Sequence, residues 1–271
     1  SFVLIKMDFQ NLLFTFAEAN PQILFIAFLC SVVFALWICI YKYKYILEFL
    51  GYNIDLDEVR TIKLGCLPLK LLSPLKSGEF FRAVYLNKNY NIPYRKGIYS
   101  ITLGYLLRFL ALFVIVLLGL LIRVLTFWQL ILICVLIFAL LTTIFSLKNF
   151  DMLFFSVLSE IFLILNCYII FNAFNLQAGI LDFLFFIPIV LLLEGLPISI
   201  LGIGVRESAL VLFFTNKMNY DGIIAAGITI SFVNGLIPTI LGLFFLKAFI
   251  TKLTFIREKT CYENICITKQ I

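Results

Sequence analysis

A chain of 271 residues that is 63% hydrophobic and 13% charged, with a formal net charge of +6, is a polytopic helical membrane protein with almost no sequence left for a water-soluble domain. The absence of histidine excludes Ser-His-Asp catalysis and His-ligated zinc. Seven cysteines, most inside apolar runs and without metal-ligand spacing, read as small apolar residues, so neither a disulfide framework nor a metal nor any other cofactor is expected.

The chain begins with Ser1 rather than Met, and Phe2 to Ile5 read as the tail of a further span. Asp8 to Asn20 carries Leu12, Leu13, Phe16 and Ala17 at helical spacing, which predicts a short interfacial helix. Pro21 fits the first turn of the next helix, and Gln22 to Tyr41 is apolar for long enough to span. Lys42, Tyr43, Lys44 and Tyr45 then place that helix end at the headgroup level.

Between Lys42 and Lys96 lie ten Lys/Arg and five Asp/Glu, an excess that puts this segment on the cytoplasmic side by the positive-inside rule. Asp55-Leu56-Asp57 matches the bare DxD of metal-dependent glycosyltransferases, but helix N-capping before Glu58 is the better account. Leu64 to Leu75 is apolar yet broken by Gly65, Pro68 and Pro74. Ser77, Gly78, Glu79 and Arg82 follow, opening a second short helix.

Four further spans are predicted: Gly97 to Ile122 with Arg108 near its middle, Phe127 to Leu147, Met152 to Asn175 with Glu160 and Asn166 inside, and Gly222 to Phe249. Asp182 to Thr215 is apolar at both ends and broken by Pro197, Gly202 and Gly204, with Arg206 and Glu207 just beyond. Backbone broken in this way at membrane depth survives only where protein or a watery cavity surrounds it, which predicts a re-entrant hairpin.

The expected fold is therefore all-α: one transmembrane domain, residues 1–271, with two re-entrant broken-helix hairpins in inverted halves. The halves are 21–122 and 152–250, joined by the span 127–147, and 251–271 is a cytoplasmic tail. From Lys247 to the end the chain carries five basic and two acidic residues, again positive inside. Paired broken helices in opposed halves point to a site at the bilayer midplane. There the helix N-termini, with Arg82 and Arg206, would converge on one anionic group. Glu79 and Glu207 are read as that site's acids or as partners of the neighbouring arginines. Ser77, Gly78, Ser199, Gly202 and Gly204 line its turns, and Arg108 with Glu160 is read as a buried pair or part of the substrate path.

Leu196-Pro197-Ile198-Ser199-Ile200-Leu201-Gly202-Ile203-Gly204-Val205-Arg206-Glu207 resembles the LPxSIxGxGxRE signature of the flippase-like family, which includes the transmembrane region of lysylphosphatidylglycerol synthase. Ser77-Gly78-Glu79-Phe80-Phe81-Arg82-Ala83-Val84-Tyr85-Leu86 resembles that family's other signature, and the similarity runs from about residue 8 through nearly the whole chain. Leu201 stands where a second glycine is common in the family, and Asn234 falls in the last span where arginine is common. The synthases' aminoacyl-transferring domain is soluble and follows the membrane part, and only a short tail follows the last span here. The resemblance thus implies a stand-alone inner-membrane unit that binds an anionic lipid headgroup, from a phospholipid or a polyprenyl-phosphate conjugate, and helps it cross, rather than an enzyme of lysyl transfer. No nucleotide motif is present, and nucleic acid is not an expected partner. The alternatives are a membrane glycosyltransferase acting on a lipid phosphate, using Glu79, Glu207 or Asp57, and an accessory subunit of a separate lipid-modifying or glycan enzyme.

Overall fold

The longest helices form where the apolar runs are longest. The computed structural model describes residues 9–124, 150–195, 204–215 and 218–267, and among them it contains helices and turns but no strand. Helix α1 (Phe9–Glu18) is the predicted amphipathic one. Asn20 then accepts from the N–H of Gln22 (3.0 Å) and of Ile23 (3.4 Å), and Pro21 sits in the first turn, where its missing N–H is harmless. The resulting α2 runs over Pro21–Phe49, well past the predicted end at Tyr41. The expectation that Lys42 and Tyr43 mark the headgroup level is corrected, because both side chains turn into the protein and Tyr43 is 2% exposed.

After α2 come α3 (Leu56–Gly65), α4 (Leu67–Leu72), a 3-10 turn (Pro74–Phe80) and α5 (Phe81–Tyr90). Asp55 occupies the N-cap position of α3, but its side chain makes no capping hydrogen bond, so the expected cap is absent. What favours the helix start is the carboxylate pair Asp57 and Glu58 in its first turn, near the positive end of the helix dipole. The long α6 (Tyr94–Val124), α7 (Phe150–Ala173), the shorter α8 (Ile180–Gly195) and α9 (Val205–Phe214), and α10 (Tyr220–Thr254, its helix continuing to Ile267) complete the described chain. The predicted span 127–147 lies outside the described residues, as do the break at 196–203 with Ser199 and Gly202, and residues 1–8.

Among the described residues four helices, α2, α6, α7 and α10, are long and apolar enough to cross a membrane. With 16 and 10 residues, α8 and α9 measure about 24 Å and about 15 Å, each less than the hydrocarbon thickness of about 30 Å.

The short helices pack on long helices from the opposite part of the chain. The α3–α5 segment lies along α10, while α8 lies along α6. Small residues permit the first approach: a Cβ on Gly242 would meet the Leu64 carbonyl oxygen at 2.5 Å, and one on Gly65 would meet Cβ of Phe249 at 2.6 Å. Among the described residues three apolar clusters result, two of them large. One joins Phe171, Phe183 and Phe214 of α7, α8 and α9, with Phe171 edge-on to Phe183 at 5.2 Å. The other joins Ile40, Ile62, Leu64, Tyr85 and Phe249, with Tyr85 stacked on Phe249 at 5.0 Å.

Polar contacts fasten the same pieces at one end of the molecule. Lys88 donates to the carbonyl of Leu253 (3.0 Å), and the Glu58 carboxylate receives both Lys252 and the Tyr85 hydroxyl (2.8 Å). Burial pushes the Glu58 carboxyl up, but the Lys252 and Tyr85 hydrogen bonds outweigh it and hold the group below its ordinary range. Finally, α2 and α10 each contain one π-helical turn, Phe34–Ile38 and Phe232–Leu236, and the Ser31 hydroxyl donates to the Val233 carbonyl between them at 2.6 Å. Such turns offset the helix face that follows and recur next to binding sites.

Candidate functional site

Every described helix except α1 contributes to one cavity of about 210 Å³. Six basic side chains line it (Lys42, Lys63, Lys70, Arg82, Arg108 and Arg206) together with three carboxylates, Glu79, Glu160 and Glu194. Both arginines singled out in the sequence therefore reach the same space from opposite parts of the chain.

The charges form three clusters. On the α3–α5 side, the i,i+3 spacing of Glu79 and Arg82 lets the carboxylate meet the guanidinium at 2.6 Å, and Lys70 closes on the same carboxylate. Arg82 and Lys63 lie 5.3 Å and 5.7 Å from the centroid of the Tyr43 ring. Tyr43 in turn shares a hydroxyl contact with Ser100 at 3.4 Å.

In the middle, Glu160 of α7 lies 3.4 Å from Lys42 of α2 and 3.5 Å from Nε of Arg108 of α6. The expected pair of Arg108 and Glu160 exists, but Lys42 shares it and Ser159 adds a hydroxyl at 3.1 Å. The Arg108 contact is an ion pair without a hydrogen bond.

On the α8–α9 side, Arg206 grips Glu194 with two nitrogens, Nε at 3.2 Å and Nη2 at 2.5 Å, and donates its Nη1 to Ser231 at 2.7 Å. This is the fork geometry of guanidinium on carboxylate.

Among the described residues Glu207 forms no direct ion pair with Arg206, and the Ser231 hydroxyl bridges the two. The Glu207 carboxylate folds back to accept the Gly204 N–H at 2.6 Å and also receives Ser231 at 3.3 Å, capping α9 at a glycine with φ +89°. The reason is position: the third helical residue reaches the orphan N–H of the first turn, whereas Arg206, one residue earlier, points toward α8 and α10. Gly204 and Glu207 do not line the cavity.

Gly78 has a packing role. Its N–H is taken by the Ser73 hydroxyl at 2.6 Å, its carbonyl receives the Cys66 thiol at 3.0 Å, and a Cβ there would collide with the Leu69 carbonyl. Ser77 is exposed, and neither residue lines the cavity. Internal groups thus occupy the Gly78 and Gly204 N–H groups, and what these two elements present to the cavity is Glu79 with Arg82 and Arg206. Asp57 pairs with Arg60 at 2.6 Å at the exposed start of α3 and lies outside the cavity, so the DxD residues have no place in it.

Sequence reasoning missed Glu194, Lys63, Lys70 and Lys42 as cavity residues. Glu194 was visible as a charge in an apolar run just before the Pro197 break. The lysines were counted only as part of a cytoplasmic excess. A further polar contact crosses α7 and α10, where Asn166 donates to Asn234 at 2.6 Å, leaving the Asn166 oxygen and the Asn234 nitrogen buried without partners. The place where the resemblance leads one to expect arginine thus holds an amide bonded to a neighbouring amide.

Comparison with curated proteins gives no match. Residues 1–153 match the family described as the lysylphosphatidylglycerol synthase TM region, which takes in the 77–86 signature and stops short of the one at 196–207. That match spans more than half of the chain, and the chain belongs to this family of integral membrane proteins.

Proposed function

We propose that this member of the lysylphosphatidylglycerol synthase TM-region family receives an anionic lipid headgroup in the cavity and passes it across the bilayer. The observation that carries the reading is the cavity's charge: six cations against three carboxylates in a space lined by every described helix except α1. Charge in excess at such depth is unfavourable unless a counter-ion joins it, and a phosphate-bearing headgroup is the counter-ion a membrane supplies.

In this reading α3–α5 and α8–α9 are re-entrant hairpins in inverted halves, each too short to cross and each packed on the long helix of the other half. The 42–96 segment and the C-terminal tail face the cytoplasm from the inner membrane, consistent with the contacts that join Lys88 to Leu253 and Glu58 to Lys252 at one end of the molecule. A partner enzyme would make or consume the lipid.

The test is translocation of a headgroup-labelled anionic lipid in reconstituted vesicles, read by an impermeant quencher. Gly104 lines the cavity, and a Cβ there meets only Cδ1 of Ile46 at 3.6 Å. Gly104→Ala should therefore fold and transport, whereas Gly104→Leu should fold and block. Transport undiminished in a folded Gly104→Leu variant would exclude this cavity as the path.

A further inference from the structure

The cavity's charge is unevenly distributed, and this deepens the proposed headgroup reading, on which the following inference rests. Arg206 is matched by Glu194 in a two-point fork, so that pair is formally neutral. In the middle, Lys42 and Arg108 share Glu160. Around Tyr43, by contrast, Lys63, Lys70 and Arg82 face the single carboxylate of Glu79. That cluster carries two positive charges beyond its carboxylate.

Two details make the excess available to a ligand. Lys63 forms no ion pair among the described residues, and its ammonium lies over the Tyr43 ring at 5.7 Å. Arg82 is 4% exposed, and its Nε–H is buried without a hydrogen-bond partner. Most buried polar side-chain atoms are hydrogen-bonded, so the Arg82 guanidinium keeps donor capacity that the protein does not use.

We infer that the Lys63–Arg82 side of the cavity, beside Tyr43, is a subsite for a phosphomonoester dianion, and that the ligand's phosphate rests there rather than midway between Arg82 and Arg206. A phosphodiester headgroup brings one negative charge and leaves one cation of this cluster unmatched. A monoester brings about −1.5 to −2 near pH 7 and three terminal oxygens, enough to engage both the Lys63 ammonium and the Arg82 guanidinium. The preferred lipid class is thus one ending in a phosphate monoester.

The experiment uses the full chain in lipid nanodiscs near neutral pH and measures binding of phosphatidate, phosphatidylglycerol and inorganic phosphate. Phosphatidate should bind about tenfold or more tightly than phosphatidylglycerol, the worth of one added charge-assisted hydrogen bond. Lys63→Gln, which strands no carboxylate, should weaken phosphatidate about tenfold more than it weakens phosphatidylglycerol and so erase the preference, and Lys63→Arg should keep it.

Equal affinity for the two lipids, or a preference untouched by Lys63→Gln, would overturn the subsite and leave the anionic-headgroup reading standing. Failure to bind either lipid would overturn that broader reading instead. Inorganic phosphate binding as tightly as phosphatidate and losing affinity in Lys63→Gln would support the subsite but assign it to a soluble phosphate, overturning lipid transport.

Discussion

Replacing Arg206 with Gln separates what the arginine does for the fold from what it does for a ligand. The substitution removes the two-nitrogen grip on Glu194 and the 2.7 Å bond to Ser231. Breaking a fully buried pair from one side costs about 3–5 kcal/mol. The Glu194 side chain keeps 18% exposure while that of Arg206 has 3%, which places the expected loss near the lower end, about 3 kcal/mol. Ser231 adds little, since it retains Gly227 and Glu207 as partners. Combining Arg206→Gln with Glu194→Gln removes the uncompensated carboxylate and lets two amides meet. Stability should return to within about 1–2 kcal/mol of wild type, a coupling of the size expected for residues in contact. The assay is unfolding in detergent micelles, followed by headgroup translocation in vesicles. The double variant should be folded yet inactive if the cation serves the ligand. A double variant no more stable than Arg206→Gln would refute the pairing argument, and one that transports normally would show that Arg206 is structural only.

Arg108→Gln should be milder, about 1–2 kcal/mol, because Lys42 and Ser159 still hold Glu160. Lys42→Gln with Arg108→Gln should lose more than the sum of the single changes, and simple additivity in a denaturation cycle would disprove the shared arrangement. Gly242→Ala should destabilise by about 1–3 kcal/mol by driving a methyl group into the Leu64 carbonyl, while Gly104→Ala stays close to wild type. Equal melting temperatures for the two would contradict the close packing of α10 on α3. For Glu58, the folded carboxyl titrates below its unfolded value of about 4.3, so its bonds stabilise above that value, and the gain is lost as pH falls through the folded one. Glu58→Gln should lower stability near neutral pH and flatten the acid limb of the stability profile; an acid limb as steep as wild type would argue against it.

The amino-acid sequence alone determined that this is a helical membrane protein, and where its described spans lie. The predicted Gly97 to Ile122, Met152 to Asn175 and Gly222 to Phe249 became α6, α7 and α10 with ends shifted by a few residues or, for α10, extended. Those features are local, since an apolar run of sufficient length needs no knowledge of its neighbours to prefer hydrocarbon and satisfy its backbone as a helix. The end of α2 was misplaced because Lys42 and Tyr43 look interfacial by composition. They turn inward only because Glu160 and Ser100 wait on other helices. The same holds for the site. Arg82 and Glu79, three apart on one stretch, were legible as a pair. That Arg206 takes Glu194 while Glu207 caps its own helix, and that Lys63 and Lys70 enter the cavity, depend on which helix faces are brought together. Helical spacing determines which residues share a face, but the packing of α3–α5 on α10 and of α8 on α6 decides what each face meets, and only the packed tertiary structure contains that information.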